Sequence, residues 1–184
     1  REIVHVQNDL LFGFLPAWCV FTKPLGFCIF LVSSYAETNR LPFDLPEGES
    51  EIVAGYHTEY GSMKFALFFM AEYLNMLTSA ALVTTLFFGG YLLIPGMGHL
   101  LAPLAGLLTK FFAVSDAQGW ALIFLQIISF STKVGFFMWM FVWVRWTLPR
   151  FRYDQLMDFG WKILLPLSLA NVVITAFLIY FGVL

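Results

Sequence analysis

Of the twelve carboxylates in this 184-residue chain, six (Glu37, Asp44, Glu47, Glu49, Glu51 and Glu59) fall between Ala36 and Tyr60. That stretch reads AETNRLPFDLPEGESEIVAGYHTEY and joins two strongly apolar segments. Another acid, Glu72, lies two helical turns inside the second of those segments, where an ionised group is costly and by default marks a functional site. Carboxylates crowded in partly dry surroundings cannot all ionise, so such a cluster can store protons and pass them on. The plain alternative is a solvated acidic loop. Against it, Pro42, Phe43, Pro46, Ile52, Val53 and Tyr56 interleave the acids with rigid and apolar residues, the composition of a packed structure. Asp44-Leu45-Pro46-Glu47 has the form of a capping box with proline in the first turn, and Gly55 is a stop signal. This predicts a short helix over Pro46–Ala54 with Glu47 and Glu51 on one face. Arg40, Arg150 and Arg152 can counter part of the charge.

Lysine supplies the other half of the chemistry. Lys133 stands at the middle of an apolar segment and Lys23 near the middle of another, each costing about 2.5 to 3.5 kcal/mol on insertion scales, so both need a partner or water. Gln126, Ser129 and Lys133 form one polar line at helical spacing; so do Glu72, Asn75 and Ser79, and again Ser168, Asn171 and Thr175. Such residues also serve simply to join membrane helices, at about 0.6 kcal/mol per hydrogen bond. For Lys133 the expected partner is Glu72 or a water chain from it. Antiparallel segments starting at similar depths would leave the two groups roughly 7 Å apart in depth at 1.5 Å per residue.

The elements that must hold these groups follow from composition. Hydrophobic residues make up 60% of the chain, charged residues 12%, and the mean hydropathy is +0.79. These are the proportions of an integral membrane protein, all-α and polytopic. Four segments meet the requirement of roughly 20 residues for a spanning helix: Leu10–Tyr35, Phe65–Leu92, Trp120–Trp146 and Ile163–Tyr180. Pro16 and Pro24 should bend the first. Leu100–Val114 is shorter, with Leu101, Leu104, Leu108 and Phe111 at helical spacing, and reads as an interfacial helix. The side that holds the acidic loop, 36–64, and a second loop, 147–162, receives Arg40, Lys64, Arg145, Arg150, Arg152 and Lys162, against Arg1 and Lys110 on the other side. Both loops therefore belong to the cytoplasmic or matrix side.

Other classes find little support. A net charge of −2 offers no basic face for nucleic acid. Cys19 and Cys28 fall on opposite faces of a helix and read as packing residues, and His5, His57 and His99 stand alone, without metal-site spacing. No haem, flavin or nucleotide motif is visible. The first residues, Arg1 to Asp9, lack the pattern of a signal peptide, and the chain reads as a piece of a longer one.

Ala36–Tyr73, AETNRLPFDLPEGESEIVAGYHTEYGSMKFALFFMAEY, resembles the signature of the quinone-chamber membrane subunit of proton-pumping NADH:quinone oxidoreductase, respiratory complex I. Leu148–Asn171, LPRFRYDQLMDFGWKILLPLSLAN, is similar to that subunit's last cytoplasmic loop and helix. The resemblance covers nearly all of this chain and the C-terminal half of the family pattern. It implies a bacterial plasma membrane or mitochondrial inner membrane location, quinone as substrate and no redox centre in this chain. Iron–sulfur clusters and FMN would sit on partner subunits, and the partners would be other membrane-arm chains, the quinone-facing peripheral arm and lipid. It further implies that Glu37, Asp44, Glu47, Glu49, Glu51, Glu59 and Glu72 begin a proton path, to which the position of Lys133 adds that residue. By the same resemblance Arg40 and Phe43 face the quinone chamber and Arg152 the docked peripheral arm. Two other readings are the equivalent subunit of an energy-converting hydrogenase and a free-standing channel or transporter.

Overall fold

Inside lipid every backbone N–H and C=O must find its partner within the segment, so long apolar runs become helices. The computed structural model describes residues 3–4, 7, 10–11, 15–16, 18–44, 59–93, 103 and 117–181. Strands β1 (Leu10–Leu11) and β2 (Leu15–Pro16) pair antiparallel, Leu10 opposite Pro16 and Leu11 opposite Leu15. Helices α1 (Cys19–Thr22), α2 (Pro24–Glu37), α3 (Ser62–Phe87), α4 (Ala117–Thr147) and α5 (Tyr153–Asp158) follow. A π-helical stretch, Phe159–Leu164, then leads into α6 (Leu165–Tyr180). Three stretches are long and apolar enough to cross a membrane, Ser62–Phe87, Gly119–Thr147 and Tyr153–Tyr180, and Pro24–Glu37 is a shorter apolar helix. The chain is an all-α polytopic membrane protein.

The expected first span, Leu10–Tyr35, is not one bent helix. Pro16 lies in β2, and Pro24 opens α2 directly after its N-cap residue, Lys23. A residue without an N–H is tolerated at a helix start and not in its interior, so the two prolines divide the run and do not merely bend it. The surviving helix has 14 residues, about 21 Å at 1.5 Å per residue, short of a hydrocarbon core of about 30 Å. The second span stops at Phe87, before the expected Leu92, because Gly89 and Gly90 take positive φ values of 70° and 52°. The last begins ten residues earlier than expected, at Tyr153. There Pro166 is accommodated because the wider π turn precedes it: the Leu165 N–H reaches back to Gly160 O, and the helix passes the proline without a break. The predicted helices over Pro46–Ala54 and Leu100–Val114 lie outside the described residues, apart from Pro103.

The chain forms two compact units, one of Arg1–Phe21 with Ala81–Phe137 and one of Thr22–Ala80 with Met138–Leu184. In the first, Val4, Trp18, Val83, Leu125 and Phe137 are buried around the end of α3. The Gln7 side chain, 1% exposed, closes that end. Its amide nitrogen donates to Thr85 O and Leu86 O at 3.4 and 3.0 Å, and its oxygen accepts from Gly89 N at 2.9 Å. A Cβ on Gly89 would come within 2.9 Å of the Trp18 indole nitrogen, so glycine is needed there for space as well as for φ. In the second unit α2 packs on α6. The residues of α6 least open to the outside, Ser168, Asn171, Thr175 and Leu178, lie along a single stripe, and Gly26 faces Asn171. A Cβ at Gly26 would stand 3.3 Å from Asn171 Nδ2. Small residues of this kind let membrane helices approach closely. Gly26→Leu is therefore expected to loosen α2 from α6 and lower the stability of the full-length protein by roughly 1–3 kcal/mol. Gly135→Leu, with nothing within 4 Å of its Cβ position, serves as the control. Equal unfolding curves for the two variants in detergent would contradict this packing.

Candidate functional site

The site begins where α2 ends. Thr38 turns its hydroxyl back onto Ser34 O and Tyr35 O at 3.1 and 3.2 Å, satisfying carbonyls that the helix end leaves open. Asn39 follows with φ 49°, the left-handed conformation that asparagine tolerates better than most residues and that commonly ends a helix. This reversal sends Arg40 inward. The next residues are held in place by the second loop: Phe151 N donates to Pro42 O at 3.1 Å, and the Phe43 ring lies 5.6 Å from Phe151 and 6.5 Å from Phe159.

Arg40 is 7% exposed. Its Nε lies 2.6 Å from Glu72 Oε1, with side-chain exposures of 8% and 15% for the pair. The N–H is not aligned for a hydrogen bond, so the contact is an ion pair held by charge. The guanidinium also sits 4.8 Å from the centre of the Tyr73 ring, an orientation that favours a cation. Asn39, Arg40, Leu41, Asp44, Phe69, Glu72 and Arg145 enclose a polar cavity of about 10 Å³, room for about one water. Two cations and two carboxylates thus meet around a single water-sized space, and their formal charges cancel. A proton can pass across such a site because one oxygen can bridge two acids whose charges are already compensated.

Glu72 therefore has Arg40, and not Lys133, as its counter-ion. The Lys133 amine donates to Phe88 O, Gly90 O and Leu92 O at 2.8, 3.1 and 2.7 Å, and it lies 4.6 Å from the Trp18 ring centre. Three backbone carbonyls and an indole face hold it, an arrangement that overturns the expected pairing with a carboxylate. The reason is distance along α3. Glu72 lies in the interior of α3, whereas the carbonyls that hold Lys133 follow its last residue, Phe87. A helix C-terminus carries the negative end of the helix dipole, which an ammonium neutralises. Ser129, one turn away and fully buried, adds a hydrogen bond to Leu92 O at 2.8 Å.

Of the other expected residues, Asp44 is buried beside Arg40, while Glu37 and Glu59 are exposed. Glu47, Glu49 and Glu51 lie outside the described residues, as do the three histidines. Phe43 is 8% exposed inside its aromatic cluster. Arg152 is exposed at the N-terminus of α5, where its backbone N–H donates to Gln155 Oε1 at 3.3 Å. Arg145 was not singled out by sequence reasoning. Its signal was an arginine in the last turn of a spanning segment, next to Trp146 and on the same side as the acidic loop. Tyr35 was missed too. It is 5% exposed, with its ring centre 4.2 Å from that of Phe141 in a tilted contact, and gives no sequence signal beyond its place in an apolar run.

A polytopic helical membrane protein with a compensated charge cluster at the mouth of an acidic loop is the class these features define. The profile of the NADH dehydrogenase family matches residues 1–176, and the chain belongs to that family. It is 50% identical to an NADH-quinone oxidoreductase subunit of Bdellovibrio bacteriovorus over 95% of this chain and 47% of that protein. It is 52% identical to NADH-quinone oxidoreductase subunit 8 of Rhodothermus marinus over 95% of this chain and 48% of that protein. With an NADH-quinone oxidoreductase subunit of Protochlamydia amoebophila it shares 46% identity over 96% of this chain and 44% of that protein. The chain spans about half the length of these relatives.

Because Lys133 closes a helix end, Lys133→Met is expected to destabilise the full-length subunit by roughly 2–4 kcal/mol through carbonyls left unpaired. Amide exchange at 88–92 should quicken by about tenfold or more. Unchanged exchange there would show that the amine is dispensable to that turn.

Proposed function

We propose that this chain is the part of a NADH-quinone oxidoreductase membrane subunit that walls the quinone chamber and couples quinone reduction to proton translocation. The observation that carries the reading is the Arg40–Glu72 ion pair, which shares a one-water cavity with Asp44 and Arg145. The relatives' names favour the quinone enzyme over a hydrogenase or a free-standing transporter.

In this reading Glu72 alternates between a carboxylate paired with Arg40 and a protonated acid released from it, and a water relays the proton to or from Asp44. Glu37 and Glu59 at the surface, with Glu47, Glu49 and Glu51 of the acidic loop, extend the path toward the cytoplasmic or matrix side. Arg40 and Phe43 line the quinone side, and Arg152 meets the peripheral arm. Electrons arrive from an iron–sulfur cluster on another subunit, and this chain contributes no redox centre. Lys133 is left out of the path, since its amine is committed to carbonyls.

A buried ion pair constrains how the idea is tested. Removing one partner strands the other charge and costs about 3–5 kcal/mol, whereas replacing both with apolar residues is often neutral. Glu72→Gln or Arg40→Met alone is expected to lower assembly of the complex and its activity together. The double variant Arg40→Met/Glu72→Leu should regain assembly while quinone-linked proton pumping in vesicles stays at least about tenfold down. Full pumping by the assembled double variant would reduce the pair to a structural element. For Arg152→Ala, the expected result is weaker retention of the peripheral arm in salt, because a guanidinium presents five donors and alanine none. Retention equal to that of the unaltered complex at every ionic strength would remove Arg152 from that interface.

A further inference from the structure

Between α5 and α6 the backbone leaves α geometry over Phe159–Leu164 and winds as a π-helix. A π turn closes on the fifth residue and not the fourth, so a single such turn amounts to one residue inserted into an α-helix. The insertion decides which side chains face inward. Phe159 and Leu164 are both partly shielded although they are five residues apart, a spacing that sets side chains about 140° apart on an α-helix of 3.6 residues per turn. Leu164 continues the inner stripe of α6, and the extra residue brings Phe159 onto the same side. There the Phe159 ring centre lies 6.5 Å from that of Phe43 and 6.4 Å from that of Phe151. Phe43 in turn shares a tight turn with the charge cluster, its N–H donating to Arg40 O at 2.8 Å.

Opposed preferences meet in this stretch. The backbone alone favours α geometry, since π winding is rare and poorly formed. Pro166 favours the π form. In an α-helix its ring would press on the Lys162 carbonyl four residues back and leave that oxygen without a donor. The aromatic contact favours the π form as well, because only the inserted residue aims Phe159 at Phe43. We propose that Phe159–Leu164 is a two-state switch that clamps and releases the segment carrying Arg40.

In the clamped form, the one described above, Phe159 holds Phe43 and the Arg40–Glu72 pair is mounted firmly. In the released form the stretch winds to α and the helix kinks at Pro166. One residue fewer per π turn rotates α5 by about 100° against α6, and Phe159 leaves Phe43. Phe151 lies outside α5 and stays with the loop, tied by its N–H to Pro42 O. Gly160, with nothing within 4 Å of its Cβ position, offers no obstacle to the rotation. The influence runs both ways: release of Phe43 loosens the Arg40 turn, and loss of the ion pair frees Phe43 and lets the backbone preference for α prevail. The two forms of the helix do not depend on the quinone reading, and only their effect on pumping rests on it.

The test is single-particle imaging of the full-length subunit in its assembled complex, with Phe159–Leu164 sorted by winding. In the unaltered complex at rest the released form is expected in about 1% of particles, a typical minor-state population. Pro166→Ala removes the clash that penalises α winding and should shift the ratio by about a hundredfold, the factor carried by a proline inside a helix. About half of the particles would then show Phe159 turned away from Phe43. Deletion of Ile163, an exposed residue of the stretch, removes the insertion itself and should give α winding with Phe159 locked on Phe43. A π stretch in every particle of Pro166→Ala, or an α stretch there with Phe159 still on Phe43, would overturn the switch whether or not the deletion variant assembles. In vesicles the locked deletion variant is expected to pump about tenfold less while NADH oxidation by ferricyanide on the peripheral arm is unchanged. Undiminished pumping by that variant would overturn the link between the switch and the charge cluster. A released class in Pro166→Ala beside full pumping by Arg40→Met/Glu72→Leu would remove the proton reading and leave the switch supported.

Discussion

A carbonyl or a charge inside a bilayer has no water to turn to, and the placement of nearly every polar side chain among the described residues follows from that constraint. The end of α3 shows it most directly. Its last carbonyls and the turn through Gly89 and Gly90 are enclosed by protein, and two long side chains, Gln7 and Lys133, reach in to satisfy them. At the end of α2 a shorter device suffices: Thr38 folds onto its own helix and Asn39 reverses the chain.

The same constraint explains why Arg40 and Glu72 find each other. Neither could be buried alone, since the desolvation of each is tolerable only against an opposite charge. Bringing them together needs a reversal at Asn39 and an anchor for the segment beyond it, and the anchor is aromatic. Phe43 is held between Phe151 and Phe159, with a backbone hydrogen bond from Phe151 to Pro42. The π-helical stretch that contains Phe159 belongs to this arrangement as well, because it carries the helix across Pro166 without a break. A loop rich in proline and phenylalanine is thus a rigid mount for an arginine.

Charge compensation gives the cluster its chemical character. With Asp44, Glu72, Arg40 and Arg145 around one small cavity, moving a proton onto or off a carboxylate changes the balance by one charge in a place where water cannot screen it. Such a site responds strongly to any charge brought near its arginines.

The apolar runs, their lengths, the acid-rich loop and the family signature were legible in the sequence, because hydropathy and motif residues are local properties of the chain. Helix-breaking was legible only in part: Pro16 and Pro24 announced an interruption, but whether it would be a bend or a division depended on neighbours that spacing alone does not specify. The inward faces of Glu72, Ser79, Ser129 and Lys133 followed from helical periodicity, and all four are shielded from the outside in the fold. Pairing was different. Lys133 and Glu72 looked like partners when depth was counted from the ends of two segments, whereas in the fold one meets carbonyls past a helix end and the other meets Arg40. Which partner a buried charge meets is set by side-chain packing and by the closing turns, which are contacts between residues far apart in sequence. Tertiary structure alone therefore decided which cation stands beside which acid.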